Sequence, residues 1–136
     1  IIASILAGVL MATFNFGMGA EISFGAALAV VIWTWVPGIL KSLLGAISLY
    51  AGADPEAFNI RNPVATNLGF FLSRTDHPVL YSLASSIDIF AIWYIILMGM
   101  GFAAISKVKR GTATWTVAAW YIVITLVGAG WVALFS

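Results

Sequence analysis

From Ile1 to Leu40 this chain carries one charged side chain, Glu21, and from Ile89 to Ser106 it carries none. A soluble fold of 136 residues has too little interior to hide apolar runs of that length. Charged residues make up 8% of the chain, against about 25% in ordinary soluble domains. Hydrophobic residues make up 62%. A hydrocarbon solvent removes the need for hiding, provided every backbone group is bonded within its own segment, as in a helix. The expected fold class is therefore all-α, a polytopic transmembrane helical bundle.

At about 20 residues per span, the length holds four spans and one sizeable loop. No separate soluble domain fits, so residues 1–136 read as a single transmembrane domain. A net charge of +1 points to neither nucleic acid nor an acidic substrate. Without cysteine there are no disulfides, thiolate metal sites or cysteine nucleophiles. The sequence opens on Ile1-Ile2, already inside an apolar run and without a basic leader, so further chain is expected upstream.

The expected spans cover about residues 1–14, 22–40, 87–106 and 113–135, with a polar loop over 51–78. The first reaches only about 21 Å, so it reads as the tail of a span, loosened into a turn by Asn15, Gly17 and Gly19. Ser23 is placed to cap the second helix. A straight helix from Ile22 to Tyr50 would be about 43 Å long, more than a bilayer needs. Pro37-Gly38 is therefore expected to kink it between Val36 and Leu40. The loop is rich in turn residues: Asp54-Pro55-Glu56, Asn59, Arg61-Asn62-Pro63, Asn67 and Arg74-Thr75-Asp76-His77-Pro78. Pro78 suits the first position of the next helix. Trp115 and Trp131 lie about 24 Å apart along a helix, a match to aromatic belts at two interfaces.

Lys107, Lys109 and Arg110 form a dense basic turn, which argues for the cytoplasmic side. Lys41, Arg61 and Arg74 equal it in number but are spread more widely. Density is weighted over count, which places loop 51–78 and the carboxyl end outside.

The stretch Asp54-Pro55-Glu56-Ala57-Phe58, followed by Arg61-Asn62-Pro63-Val64-Ala65-Thr66-Asn67-Leu68, resembles a signature loop of bacterial Yip1-type membrane proteins. The layout is similar too, with a proline near the end of the preceding span, Ser85-Ser86-Ile87-Asp88-Ile89-Phe90 opening the next, and a short Lys-rich turn before the last. The resemblance covers roughly residues 23–120. It implies five spans in the full protein, a cytoplasmic amino end, and residence in the bacterial inner membrane. The Rab GTPase partners of eukaryotic relatives do not carry over to bacteria, so the resemblance leaves the activity open.

Asp88 is the one carboxylate at or inside the edge of the span at 87–106. A charge at mid-membrane costs about 2.5–3.5 kcal/mol on insertion scales, so it needs a role or a partner. Tyr81, Ser85 and Asp88 fall at i, i+4 and i+7, one face of a continuous helix. That stripe is either a proton or cation site, or a helix-entry carboxylate bonded to backbone donors or a neighbouring helix. In the second case Asp88→Asn is expected to be tolerated. His77, the single histidine, is a weak candidate for holding a haem or chlorophyll metal, and otherwise a cap or loop residue. No metal site and no resident cofactor is expected. No paired carboxylates or nucleophile–base–acid set are readable, so the chain is expected not to be an enzyme.

Small residues recur at four-residue spacing: Ser4, Gly8 and Ala12; Gly25 and Ala29; Gly99 and Ala103. Such rows let helix backbones approach closely, and packing is what associates helices in lipid. The expected function is a non-catalytic accessory or structural subunit, or a membrane organiser, with lipids and other transmembrane subunits as partners. The alternative is a small transporter or channel component using Asp88 and the Pro37 break.

Overall fold

The computed structural model describes residues 1–52, 54, 58–59 and 62–135. The turn signals at Pro55, Glu56 and Arg61, and Ala57 of the signature loop, lie outside them. Every regular element among the described residues is helical: α1 (Ile2–Met18), α2 (Phe24–Trp33), α3 (Val36–Tyr50), a 3-10 turn (Leu68–Phe71), α4 (Pro78–Ser86), α5 (Ile89–Ser106) and α6 (Arg110–Phe135). Three helical stretches are long and apolar enough to cross a membrane. These are Phe24–Tyr50 (mean hydropathy 1.7), Ile89–Ser106 (2.1) and Arg110–Phe135 (2.0). α1 is apolar but shorter, 17 residues or about 25 Å against the ~30 Å hydrocarbon core.

Several boundaries differ from the sequence expectations, each for a local reason. α1 does not loosen at Asn15; it continues to Met18 and stops at Gly19, whose φ of 67° is left-handed backbone open to glycine. Asn15 stays helical because its side chain is used beyond the helix end. It donates to Ile22 O (2.9 Å) and accepts from Ile22 N–H (2.8 Å). Ser23 caps α2, accepting from Ala26 N–H at 3.3 Å. α2 ends at Thr34, whose N–H reaches Val30 O (3.0 Å), while Trp35 N–H takes the nearer carbonyl of Ile32 (3.2 Å). The interruption thus falls at Thr34–Trp35, and not between Val36 and Leu40, which are helical. Pro37 sits in the first turn of α3, where its missing N–H removes no helical hydrogen bond. α4 begins at Pro78, as its sequence leads one to expect. α6 starts at Arg110, three residues after Lys107, whose φ of 60° is left-handed backbone in the turn.

The chain forms two compact units, one of residues 1–35 with 94–121, the other of residues 36–93 with 122–136. In the first, Leu10 and Phe14 of α1, Val31 of α2, and Met98 and Phe102 of α5 are fully buried, with Ala113 and Val117 of α6 beside them. The Phe14 and Phe102 rings stack at 5.0 Å. Two glycines admit neighbouring backbones and side chains. A Cβ on Gly99 would lie 2.6 Å from Thr114 Cα, and one on Gly101 would lie 2.5 Å from Val30 Cγ1. Trp120 Nε1–H donates to Thr13 Oγ1 (3.0 Å), which itself donates to Val9 O (2.8 Å). Close packing of this kind, rather than expulsion of water, holds helices together in lipid.

The second unit contains α3, the described part of the polar segment, α4 and the ends of α5 and α6. Gly45 of α3 faces Pro63, where a Cβ would come within 2.6 Å of the proline Cβ. Gly69 packs under α4, and a Cβ there would lie 2.7 Å from Ser85 N. The 3-10 turn is capped by Asn67, whose Oδ1 accepts from Phe70 N–H at 3.1 Å. Leu68 and Phe71 are exposed on it.

Candidate functional site

Three segments of the second unit meet at Asp88, which is 4% exposed: α3, the polar segment and the start of α5. α4 stops at Ser86, Ile87 turns the chain (φ −87°, ψ 81°), and Asp88 stands immediately before the span helix α5. Its Oδ1 accepts from Phe90 N–H at 2.8 Å, and its carbonyl accepts from Ile92 N–H at 3.0 Å. It therefore performs the N-cap role for α5. Its Oδ2 accepts three times: from Lys41 Nζ of α3 (2.6 Å), Thr66 Oγ1 (2.8 Å) and Asn67 Nδ2 (2.8 Å). Asn67 in turn exchanges amide bonds with buried Asn62, at 2.8 and 3.1 Å. Ile89 N–H reaches Thr66 O at 3.4 Å, completing an isolated antiparallel bridge between Asn67 and Asp88.

Four donors of the same chain hold the carboxylate, three on Oδ2 and one on Oδ1. Burial by itself would push the Asp88 carboxyl up. Lys41, then Asn67, Thr66 and the Phe90 N–H, outweigh it and hold the group below its ordinary 3.8. The arrangement stabilises a fixed charge, caps the apolar helix α5 and pins the polar segment onto it.

This placement revises the polar stripe. Tyr81 and Ser85 lie on α4, but the helix ends before Asp88, so the three do not share a helical face. Tyr81 Oη accepts from Asn59 Nδ2 at 3.0 Å. Ser85 Oγ is buried without a hydrogen-bond partner among the described residues. Both residues line an open cavity of about 550 Å³, together with Lys41, Asn62, Arg74, Pro78 and Ser82. Trp131, Val132 and Phe135 of α6 form its apolar wall.

His77 occupies the N-cap position of α4. It is exposed, with no capping bond from its side chain, and its carbonyl accepts from Tyr81 N–H at 2.8 Å. No group of three His, Asp or Glu side chains placed to hold a metal occurs among the described residues. The small-residue rows separate by environment. Gly99 and Ala103 are buried inside the first unit, Gly8 and Ala12 are half-buried, and Ser4, Gly25 and Ala29 are exposed. Gly99 is consumed by its own chain's Thr114, so it is not a surface for another subunit.

Sequence reasoning missed Lys41, Thr66, Asn67 and Asn62 as partners of Asp88. Lys41 is 47 positions away, and no periodicity links it to Asp88. The available signal was a matched pair: one cation and one carboxylate, each at the edge of an apolar run. Comparison with known protein families, curated proteins and solved structures finds no match to this chain.

Proposed function

We propose that this protein is a non-catalytic integral membrane protein, an accessory or structural subunit or membrane organiser that packs against other transmembrane helices and lipid. One observation carries the reading. The Asp88 carboxylate at the start of α5 is held by four donors of its own chain, Lys41 among them, as a fixed structural charge is, which favours a structural role over a transported proton or cation. The broad apolar exposure of α6, of whose most apolar window only 11% is buried, supports lipid and helix neighbours. In this reading α1 belongs to a fourth span, α2 and α3 to one span, and the segment over 51–78 rests on the outer face of a bacterial inner membrane. The likeness to Yip1-type proteins belongs to the same proposal and rests on the loop residues and layout.

Gly25 and Ala29, exposed on α2, are the surface this reading assigns to a neighbouring helix. Gly25→Leu with Ala29→Leu should leave folding intact and reduce copurification of membrane partners from native membranes. Reconstituted wild-type protein should pass no protons or cations above empty vesicles. A flux abolished by Asp88→Asn in a folded protein would overturn the reading in favour of a transporter.

A further inference from the structure

The cavity beside Lys41 has two chemically distinct walls. One carries cations and hydroxyls: Lys41, Arg74, Tyr81, Ser82 and Ser85. The other is the apolar end of α6, where Trp131 and Phe135 rings lie 4.5 Å apart and are themselves largely exposed. Among the described residues no carboxylate lines it. Asp88 neutralises Lys41 from behind at 2.6 Å. Arg74 has no ion-pair partner among the described residues, so one positive charge at the cavity is left uncompensated by them. Tyr81 Oη accepts from Asn59, which leaves its own proton to donate.

We propose that this cavity binds a phosphate ester anion, with the phosphate on Arg74 and the hydroxyls and an apolar chain along Trp131 and Phe135. Arginine matches phosphate oxygens with two parallel N–H donors, and serine and tyrosine hydroxyls supply further donors. At about 550 Å³ the space suits a headgroup and the first part of its chains. The walls that bind the phosphate would accept a free phosphate as well, but only a lipid also uses the apolar wall. This inference deepens the lipid part of the proposed function. Its failure is distinguishable, because the copurification test reads Gly25 and Ala29 and not this cavity.

The test uses the full chain in nanodiscs of phosphatidylcholine alone or mixed with phosphatidylglycerol, with lipid retention read by native mass spectrometry. Inorganic phosphate is titrated separately against the detergent-solubilised protein by calorimetry. Wild type should retain phosphatidylglycerol over phosphatidylcholine, and Arg74→Gln should lower that retention about tenfold. Trp131→Ala should weaken lipid retention further and leave any phosphate binding unchanged. Arg74 is exposed and without a partner among the described residues, so Arg74→Gln is expected to fold, checked by circular dichroism. Phosphate heat that disappears with Arg74→Gln, without selective lipid retention, supports the anion site and names a free anion as its occupant. Equal retention of both lipids, or phosphatidylglycerol retention unchanged in Arg74→Gln, with no Arg74-dependent phosphate heat, overturns the proposal.

Discussion

Asp88→Asn is the most informative single change in this protein, and the structure reverses the expectation that it is tolerated. Asparagine has one carbonyl oxygen and one NH2 group. If the oxygen keeps the Phe90 N–H, the NH2 group faces Lys41 Nζ, Asn67 Nδ2 and Thr66 Oγ1, of which only the threonine hydroxyl can turn to accept. If the amide is reversed, a donor meets the Phe90 N–H instead. Either way Lys41 loses its counter-charge. Removing one partner of a buried ion pair costs about 3–5 kcal/mol. The Lys41 side chain is 20% exposed and can lean toward water, so the lower end, about 3 kcal/mol, is expected. Reversible unfolding in mixed micelles, followed by helical circular dichroism and tryptophan fluorescence, measures it. Lys41→Met provides the other arm of a double-mutant cycle, and the pair should couple by about 1–3 kcal/mol. A loss below about 0.5 kcal/mol for Asp88→Asn, or no coupling to Lys41, would refute the argument.

Because the native Asp88 carboxyl is held below 3.8, its contribution is complete above that value and lost as pH falls from 3.8 through the lowered native value. The acid limb of a stability–pH curve should therefore be shallower in Asp88→Asn than in wild type. Gly99→Ala should destabilise the first unit by about 1–3 kcal/mol, because the new methyl would lie 2.6 Å from Thr114 Cα, which is backbone and has to move. An unfolding midpoint equal to wild type would show that α5 and α6 can part without cost. Single cysteines at Asn59 and Lys109 should react with an impermeant maleimide from opposite faces of the membrane, Asn59 from outside. Labelling of both from one face would contradict the proposed topology.

Three helices long and apolar enough to cross a membrane, the helical class and the caps at Ser23 and Pro78 were legible because they depend on neighbours in the sequence. Each follows from local composition, a backbone bond a few residues away, or the fixed φ of proline. The proline kink misread a local signal: Pro37 interrupts a helix only in mid-run, and α3 begins at Val36. The i, i+4, i+7 stripe failed for a related reason, since the spacing aligns residues only where one helix continues, and Ile87 breaks it. Which small residues face their own chain was also not in the spacing, as buried Gly99 and exposed Gly25 show. The sequence by itself determined which helices are long and apolar enough to cross a membrane, because the transfer of apolar side chains into hydrocarbon is additive along the chain. Only the tertiary structure decided the fate of Asp88, because a charge is stabilised by whatever lies within about 4 Å of it in space, and its cation comes from 47 residues away.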